Sequence, residues 1–346
     1  MSSSRIPLPV TLIAGWVGAD AEALAQEFTT LIPGAATTTQ RYPNAVTFPS
    51  RSFDEPTADA VGAGELAQPH HGDHRPNTQS CAARNPHAVR YADVIDTIER
   101  TLRRSHPPAH LFLAIDPLVP LVDAAETVLG DPALTDRIVI DALIVVVNGP
   151  AMSATANSLR SFLPLPGHLL QAVAIADVVV VKAVERLTEA GFADCRWRLR
   201  RANAAATIVA SSRVPDQVSM IVGWQACSPR GVESLLRRAT ADSTCGTIRG
   251  TTLAIDGGSV DPQALAGWIE DLLEDPGLHL LRLAGMATTL GDGRHVLLHG
   301  VGHTIRGTSA IGPLLGDRLS AQIRLIGTGL EPKSLRRSLA GCIGRS

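Results

Sequence analysis

The apolar positions fall into short runs rich in β-branched residues, each followed by a stretch with helical spacing. "VTLIAGW" (Val10–Trp16) precedes "ADAEALAQEFTTLI", "LFLAID" precedes "PLVDAAETVL", "ALIVVVN" precedes "LLQAVAIA", and "DVVVVK" precedes "VERLTEAGF", before a last run "ATIVAS" (Ala206–Ser211). Runs that are apolar on both faces and separated by helices belong in a parallel sheet covered on both sides. The pattern therefore predicts an α/β fold with a doubly wound parallel sheet.

The grammar changes twice. Between Thr37 and Pro86 the periodicity gives way to Pro, Thr, Ser, Gly, Ala and His, which reads as a long mobile loop. After about Val214 a run "GTTLAIDG" leads to a helix in "DPQALAGWIEDLLED", where Ser259, Asp261 or Pro262 opens the first turn. "LLRLAGMATTL", "RHVLLHGVG" and "SAQIRLIGTGL" then follow through Gly-rich turns, and "EPKSLRRSLAGCI" closes the chain as a helix. Consecutive strands flanked by helices predict a smaller α+β unit with an antiparallel sheet. The boundaries expected are 1–213, containing the 37–86 loop, and 214–346.

Composition narrows the function classes. A chain of 346 residues that is 45% hydrophobic supports two cores. The net charge of −2 gives no global footprint for nucleic acid, so no free DNA is expected as a partner. Arginine pairs recur at Arg103-Arg104, Arg200-Arg201, Arg237-Arg238 and Arg336-Arg337, late in helix-like stretches where the macrodipole favours cations. Five scattered cysteines without a C-x-x-C spacing argue against a disulfide framework and suit a reducing cytoplasm. The longest apolar stretch, "IVIDALIVVV", is broken by Asp141 and is far shorter than the roughly 20 residues of a membrane span, so no membrane partner is expected. The start of the chain reads as a strand and turn rather than as a secretory leader. Ser211 and Ser212 lack the context of a nucleophile elbow.

On these residues the chain resembles the CobW family of P-loop GTPases, metallochaperones and metal-homeostasis proteins. The second half is the more specific part, from "WIEDLLEDPGLHLLRLAGMATTLGDGRHVLLHGVGHTIRG" to "IRLIGTGLEPKSLRRSL". The first half is similar in the order of "PVTLIAGWVGA", "HLFLAIDPLVPLVDAAETVLGDPAL", "DALIVVVNG" and "QAVAIADVVVVKAVERL". The resemblance implies a P-loop-GTPase-like first domain and a CobW-like C-terminal domain.

The chemistry departs from the family. A phosphate-binding loop needs G-x-x-x-x-G-K-[ST], whose amides cradle phosphate, whose lysine reaches the β/γ oxygens and whose hydroxyl ligates Mg²⁺. Gly15 and Gly18 match the first two glycines of the family loop, but Asp20, Ala21 and Glu22 stand where glycine, lysine and threonine are needed. Lost charge-assisted contacts of about 1.5–3 kcal/mol each, with two carboxylates added beside a polyphosphate, remove several powers of ten in affinity. Asp20 and Glu22 read instead as acidic residues of a first helical turn. The E-x-x-G-x-x-D-P segment reads Ala114, Pro117, Pro120 and Leu121, and the guanine-reading N-K-x-D reads Val181-Lys182-Ala183-Val184. Gly15, Gly18 and Lys182 are thus a vestigial nucleotide site, GTP and Mg²⁺ are not expected as cofactors, and no catalytic residue is assigned. The alternative is a divergent but active GTP-dependent metallochaperone.

The family's C-x-C-C metal motif aligns with "TQSCAAR", where only Cys81 remains, and "PHHGDH" just upstream supplies His70, His71 and His74. His and Cys suit Zn²⁺, so these four residues are either a weak or regulated zinc site or a solvated loop. His295, His299 and His303 share parity and read as exposed strand histidines with a turn before the last. Trp197 in "DCRWRLRR" reads as a residue packed on the sheet, with a basic-aromatic nucleic-acid contact as the alternative. The expected partner is a protein or ribonucleoprotein, and the family's link to zinc starvation makes the ribosome a further alternative. If the loop holds zinc, replacing His71 and Cys81 together with alanine abolishes binding, and affinity falls as pH drops through the histidine range near 6.5. Calorimetric zinc titration of wild type and double variant across that range checks both.

Overall fold

The structure, a computed structural model, describes residues 7–16, 20–39, 86–115, 119–154, 167–221, 243–244, 248–255, 259–290, 295–310 and 321–343. The first unit is a six-stranded sheet of β1 (Leu8–Trp16), β2 (Ala35–Thr39), β3 (His110–Ile115), β4 (Ile138–Asn148), β5 (Val178–Lys182) and β6 (Thr207–Ala210). Its order is β2-β3-β1-β4-β5-β6, and every neighbouring pair is parallel. The helices are α1 (Ala21–Leu31), α2 (Pro86–Leu102), α3 (Leu121–Gly130), α4 (Gly149–Ala154), α5 (Gly167–Ile175), α6 (Glu189–Ala202) and α7 (Val214–Ile221).

Covering both faces is what the continuous apolar strands require. One face of the sheet packs with Ala124 and Val128 of α3, Val173 of α5 and Leu199 of α6, and the other with Leu24 and Phe28 of α1. Val214 and Ile221 of α7 join this second core, beyond the residue at which the sequence divides the chain. Thr37–Thr39, expected in a loop, instead complete the edge strand β2 against β3. The remainder of that segment, 40–85, lies outside the described residues.

The second unit is an all-antiparallel sheet of β7 (Ser243–Thr244), β8 (Arg249–Ile255), β9 (His279–Thr288), β10 (His295–Val301), β11 (Thr304–Ala310) and β12 (Ala321–Thr328). Its order is β11-β10-β9-β12-β8-β7. Helices Pro262–Glu274 and Pro332–Ala340 cover one face, burying Leu265, Trp268, Leu335 and Leu339 on Leu253, Leu283 and Ile323. Asp261 caps the first of them, accepting from the amides of Gln263 and Ala264 at 2.8 and 3.2 Å with Pro262 at the first helical position. Alternation turns the other face toward the first unit and gives it Arg282, His299 and Arg324.

These groups meet the first sheet at Asp177, just before β5. Its carboxylate accepts from the Leu143 amide of β4 at 3.0 Å and from the Arg282 guanidinium at 3.2 Å, and both side chains of the ion pair are buried. Arg282 also donates to the carbonyls of Leu283 and Gly300, each at 3.1 Å. Burial pushes Asp177 toward neutrality, but the guanidiniums of Arg282 and Arg324 and the two hydrogen bonds outweigh it and hold the carboxyl below its ordinary range. Arg324 donates to the Ala205 carbonyl, and Val301 enters the first core.

Two buried histidines sit in this frame. His299 of β10 is buried, not exposed as its sequence suggests; desolvation, reinforced by Arg282 and opposed by Asp177, pushes its pKa down to about 3. The turn before His303 does form, at Gly302. His110, at the start of β3, shares a hydrogen bond of 2.9 Å with Thr11 Oγ1, lies 3.8 Å from an Asp141 carboxylate oxygen, and is pushed by burial to about 3. Both histidines are neutral in the fold and bind a proton once unfolded. Unfolding therefore takes up protons between about pH 6.5 and 3, and stability falls as pH drops through that window, by up to about 1.4 kcal/mol per pH unit for each histidine. Guanidinium unfolding at pH 7, 6 and 5 measures the slope, and His110→Gln should lower it by one histidine's share.

Candidate functional site

The carboxyl ends of β1, β4 and β5 converge where an open parallel sheet holds its ligands. Gly15 lies in β1 opposite Val146 of β4, and Lys182 ends β5 opposite Asn148 of β4. Gly18 lies outside the described residues. Asp20 then opens α1 in an extended conformation, and its Oδ1 accepts from the Ala23 amide at 2.8 Å. The residue expected to be part of an acidic first turn is thus its N-cap. Lys182 Nζ donates to the Asp20 main-chain carbonyl at 3.2 Å, bracing the same turn from β5.

This arrangement changes what the helix N-terminus can do. Free amides and the positive end of the macrodipole make such a terminus an anion site. Here the chain supplies its own anion, because the Asp20 carboxylate takes the third amide of α1 and the Lys182 ammonium lies on the loop's own carbonyl. Ala21 is buried, so the position that carries the family's lysine points its methyl group into the core. Glu22 accepts from Gln26 Nε2 at 3.4 Å one turn further on.

The described positions that the resemblance assigns to a nucleotide site are apolar, and most are packed. Ala114 and Leu121 are buried, Pro120 precedes α3 without a side-chain cap, and Pro117 lies outside the described residues. Val181 is fully buried, and Val184 packs against the same core. Between them Ala183 takes a left-handed conformation (φ 56°, ψ 36°) that leads into a 3-10 turn, Val184–Arg186. Gly149, after β4, lets this segment close up: a Cβ there would lie 3.0 Å from the Lys182 carbonyl and 2.8 Å from Leu187. Val184 stands where the resemblance to the family would place a base-reading carboxylate. Among the described residues, the donor set does not fit a Mg²⁺-nucleotide.

His70, His71, His74 and Cys81 lie outside the described residues. Among the described residues no group of three His, Cys, Asp or Glu side chains is placed to hold a metal ion. Cys195 and Cys342 are free and buried, and burial raises both thiols, Cys195 to about 11. No helix among the described residues is long and apolar enough to cross a membrane. Trp197 does not pack on the sheet: it is 48% exposed, and Arg198 takes the buried position beside it, donating to the Met152 carbonyl at 3.1 Å. The Thr11–His110–Asp141 cluster, at the opposite end of the sheet from Lys182, was not legible from sequence because its members are 99 and 31 positions apart in chain order and each lies within an apolar strand.

Residues 251–343 match the family model for the cobalamin synthesis protein cobW C-terminal domain. Over these residues the match supports the resemblance to the CobW family read from the sequence. In fold the whole chain is similar to the crystal structure of Zn(II)-bound YjiA GTPase from E. coli, with 16% identity, a TM-score of 0.48, and 98% of this chain and 99% of that chain covered. A Zn(II)-bound triple mutant of YjiA GTPase is similar at the same identity and TM-score, over 97% and 99% of the two chains. No protein of curated function matches in sequence.

If Asp20 is the cap of α1, Asp20→Ala destabilises the fold by about 0.5–2 kcal/mol, whereas Asp20→Asn, an equally good cap, costs little. Urea unfolding of the two variants beside wild type measures the difference.

Proposed function

We propose that the chain is a non-catalytic CobW-like scaffold, a pseudo-GTPase that acts in zinc or other metal homeostasis by binding a protein or ribonucleoprotein partner. The observation that carries this reading is the Asp20 cap. A carboxylate already seated on the Ala23 amide of α1 repels a triphosphate electrostatically and competes with it for that donor. The valines at 181 and 184 and the alanine at 114 support it, since base-reading and Mg²⁺-linked carboxylates are absent together. The metal link rests on the CobW C-terminal domain and on the chemistry of His70, His71, His74 and Cys81, for which zinc is the candidate ion.

Nucleotide works in a GTPase by biasing two arrangements of one surface through γ-phosphate and Mg²⁺. A ligand that does not distinguish two states cannot shift them. Partner binding by this chain is then independent of GTP and is set by abundance or by metal. Titration calorimetry with GTP and Mg²⁺ should give no binding where an intact phosphate-binding loop saturates. Asp20→Gly, Ala21→Lys and Glu22→Thr together should leave partner capture unchanged in pull-downs with and without GTP. Micromolar GTP affinity with turnover, or a partner captured only with GTP, would sink this reading in favour of a divergent, active GTPase.

A further inference from the structure

The exposed side of α6 carries an arrangement that no packing or capping requirement explains. The helix is fixed by its buried side: Cys195, Arg198, Leu199 and Ala202 are buried, Thr188 caps the first turn, and Asn203 follows the last. Its outer side presents Arg196, Trp197, Arg200 and Arg201, all exposed. The Arg201 guanidinium stands 4.8 Å over the Trp197 ring, and the Arg196 guanidinium 5.8 Å over the Phe192 ring. Helix-dipole compensation accounts for Arg200 and Arg201 in the last turn but not for Arg196, and it gives no reason for an indole half in water.

Another arginine pair makes the contrast. Arg103, just past the end of α2, is paired with the Glu99 carboxylate one turn back, as a solvated helix end is expected to be. Among the described residues no carboxylate is paired with Arg196, Arg200 or Arg201. On a chain of net charge −2 this is a local concentration of cations, not an overall excess.

We propose that this face of α6 is a binding surface for single-stranded RNA, with a base stacked on Trp197 and phosphates held by Arg196, Arg200 and Arg201. The half-exposed Trp197 ring, with Arg201 over it and Arg196 and Arg200 exposed on the same side of the helix, suits a polymer that alternates bases with phosphates, whereas an acidic peptide would use the guanidiniums alone. Single-stranded rather than duplex RNA fits, because stacking needs an unpaired base. The surface lies apart from the β1–α1 turn, so the inference stands or falls independently of the nucleotide reading.

The test uses the full chain and a fluorescently labelled twelve-nucleotide oligouridine, followed by anisotropy. Three phosphate contacts on a single strand predict a slope of about −2 in log K against log salt, or about 20-fold weaker binding at 200 mM than at 50 mM salt. Arg196→Glu, Arg200→Glu and Arg201→Glu together should reduce binding at least tenfold and flatten the salt dependence, and Trp197→Ala should weaken binding while leaving the slope intact. These residues are exposed, and circular dichroism and the melting temperature confirm that the variants fold. Oligouridine binding that survives both changes, or no oligouridine binding while a labelled polyglutamate peptide binds through the same arginines, overturns the proposal; the second result makes the face a protein-docking surface.

Discussion

The Asp177–Arg282 ion pair is the contact on which the relation of the two sheets depends. Asp177 is held to the first sheet through the Leu143 amide, and Arg282 is held to the second through two carbonyls, so the pair joins two anchored groups. Burying both charges costs several kcal/mol in desolvation, which their attraction and hydrogen bonds offset only in this geometry. Removing one partner leaves the other charged and buried, a loss of about 3–5 kcal/mol. An apolar interface would hold sheets together in several registers; a buried pair with a single satisfied geometry selects one.

The same logic of internal satisfaction governs the β1–α1 turn. A helix N-terminus at the end of a parallel strand is a general anion site, and what an individual chain does with it depends on whether its donors are left for a ligand. Here Asp20 and Lys182 turn those donors and charges inward. Function resides in the site and not in the fold, so what this turn can hold is decided by those two side chains rather than by the sheet around it.

Much of this was legible in the sequence. Val10–Trp16, Ala142–Asn148 and Val178–Lys182 are long apolar runs, and a strand buried on both faces has no other way to be written. The helix after Val260 was legible from local chemistry, with Ser259, Asp261 or Pro262 as its opening, and Asp261 is the cap that forms. "AATTT" did not read as a strand because an edge strand needs only backbone pairing and one covered face, and its threonines carry no alternation. His299 and Trp197 depart from their sequence pattern in opposite directions for one reason: burial is decided by what packs against an element from a distance. The docking of the first unit buries His299, while Arg198, snorkelling inward to the Met152 carbonyl, takes the place expected for the tryptophan. Asp177 and Arg282, 105 positions apart, gave no sign of each other.

Two glycines set how closely the units approach. A Cβ at Gly250 would stand 2.3 Å from the Ala205 Cβ, and one at Gly302, where φ is +53°, would stand 2.0 Å from a carboxylate oxygen of Glu126 on α3. The backbones of β8 and of the β10–β11 turn therefore rest directly on side chains of the first unit, Ala205 and Glu126, with no side chain of their own between. Such a joint has no slack: it behaves as a fixed-gauge spacer, and even a methyl group at Gly250 acts as a wedge. The arginines behind it, Arg282 and Arg324, reach Asp177 and the Ala205 carbonyl across the same joint, so the shape of the contact keeps the charges at the separation their pairing needs.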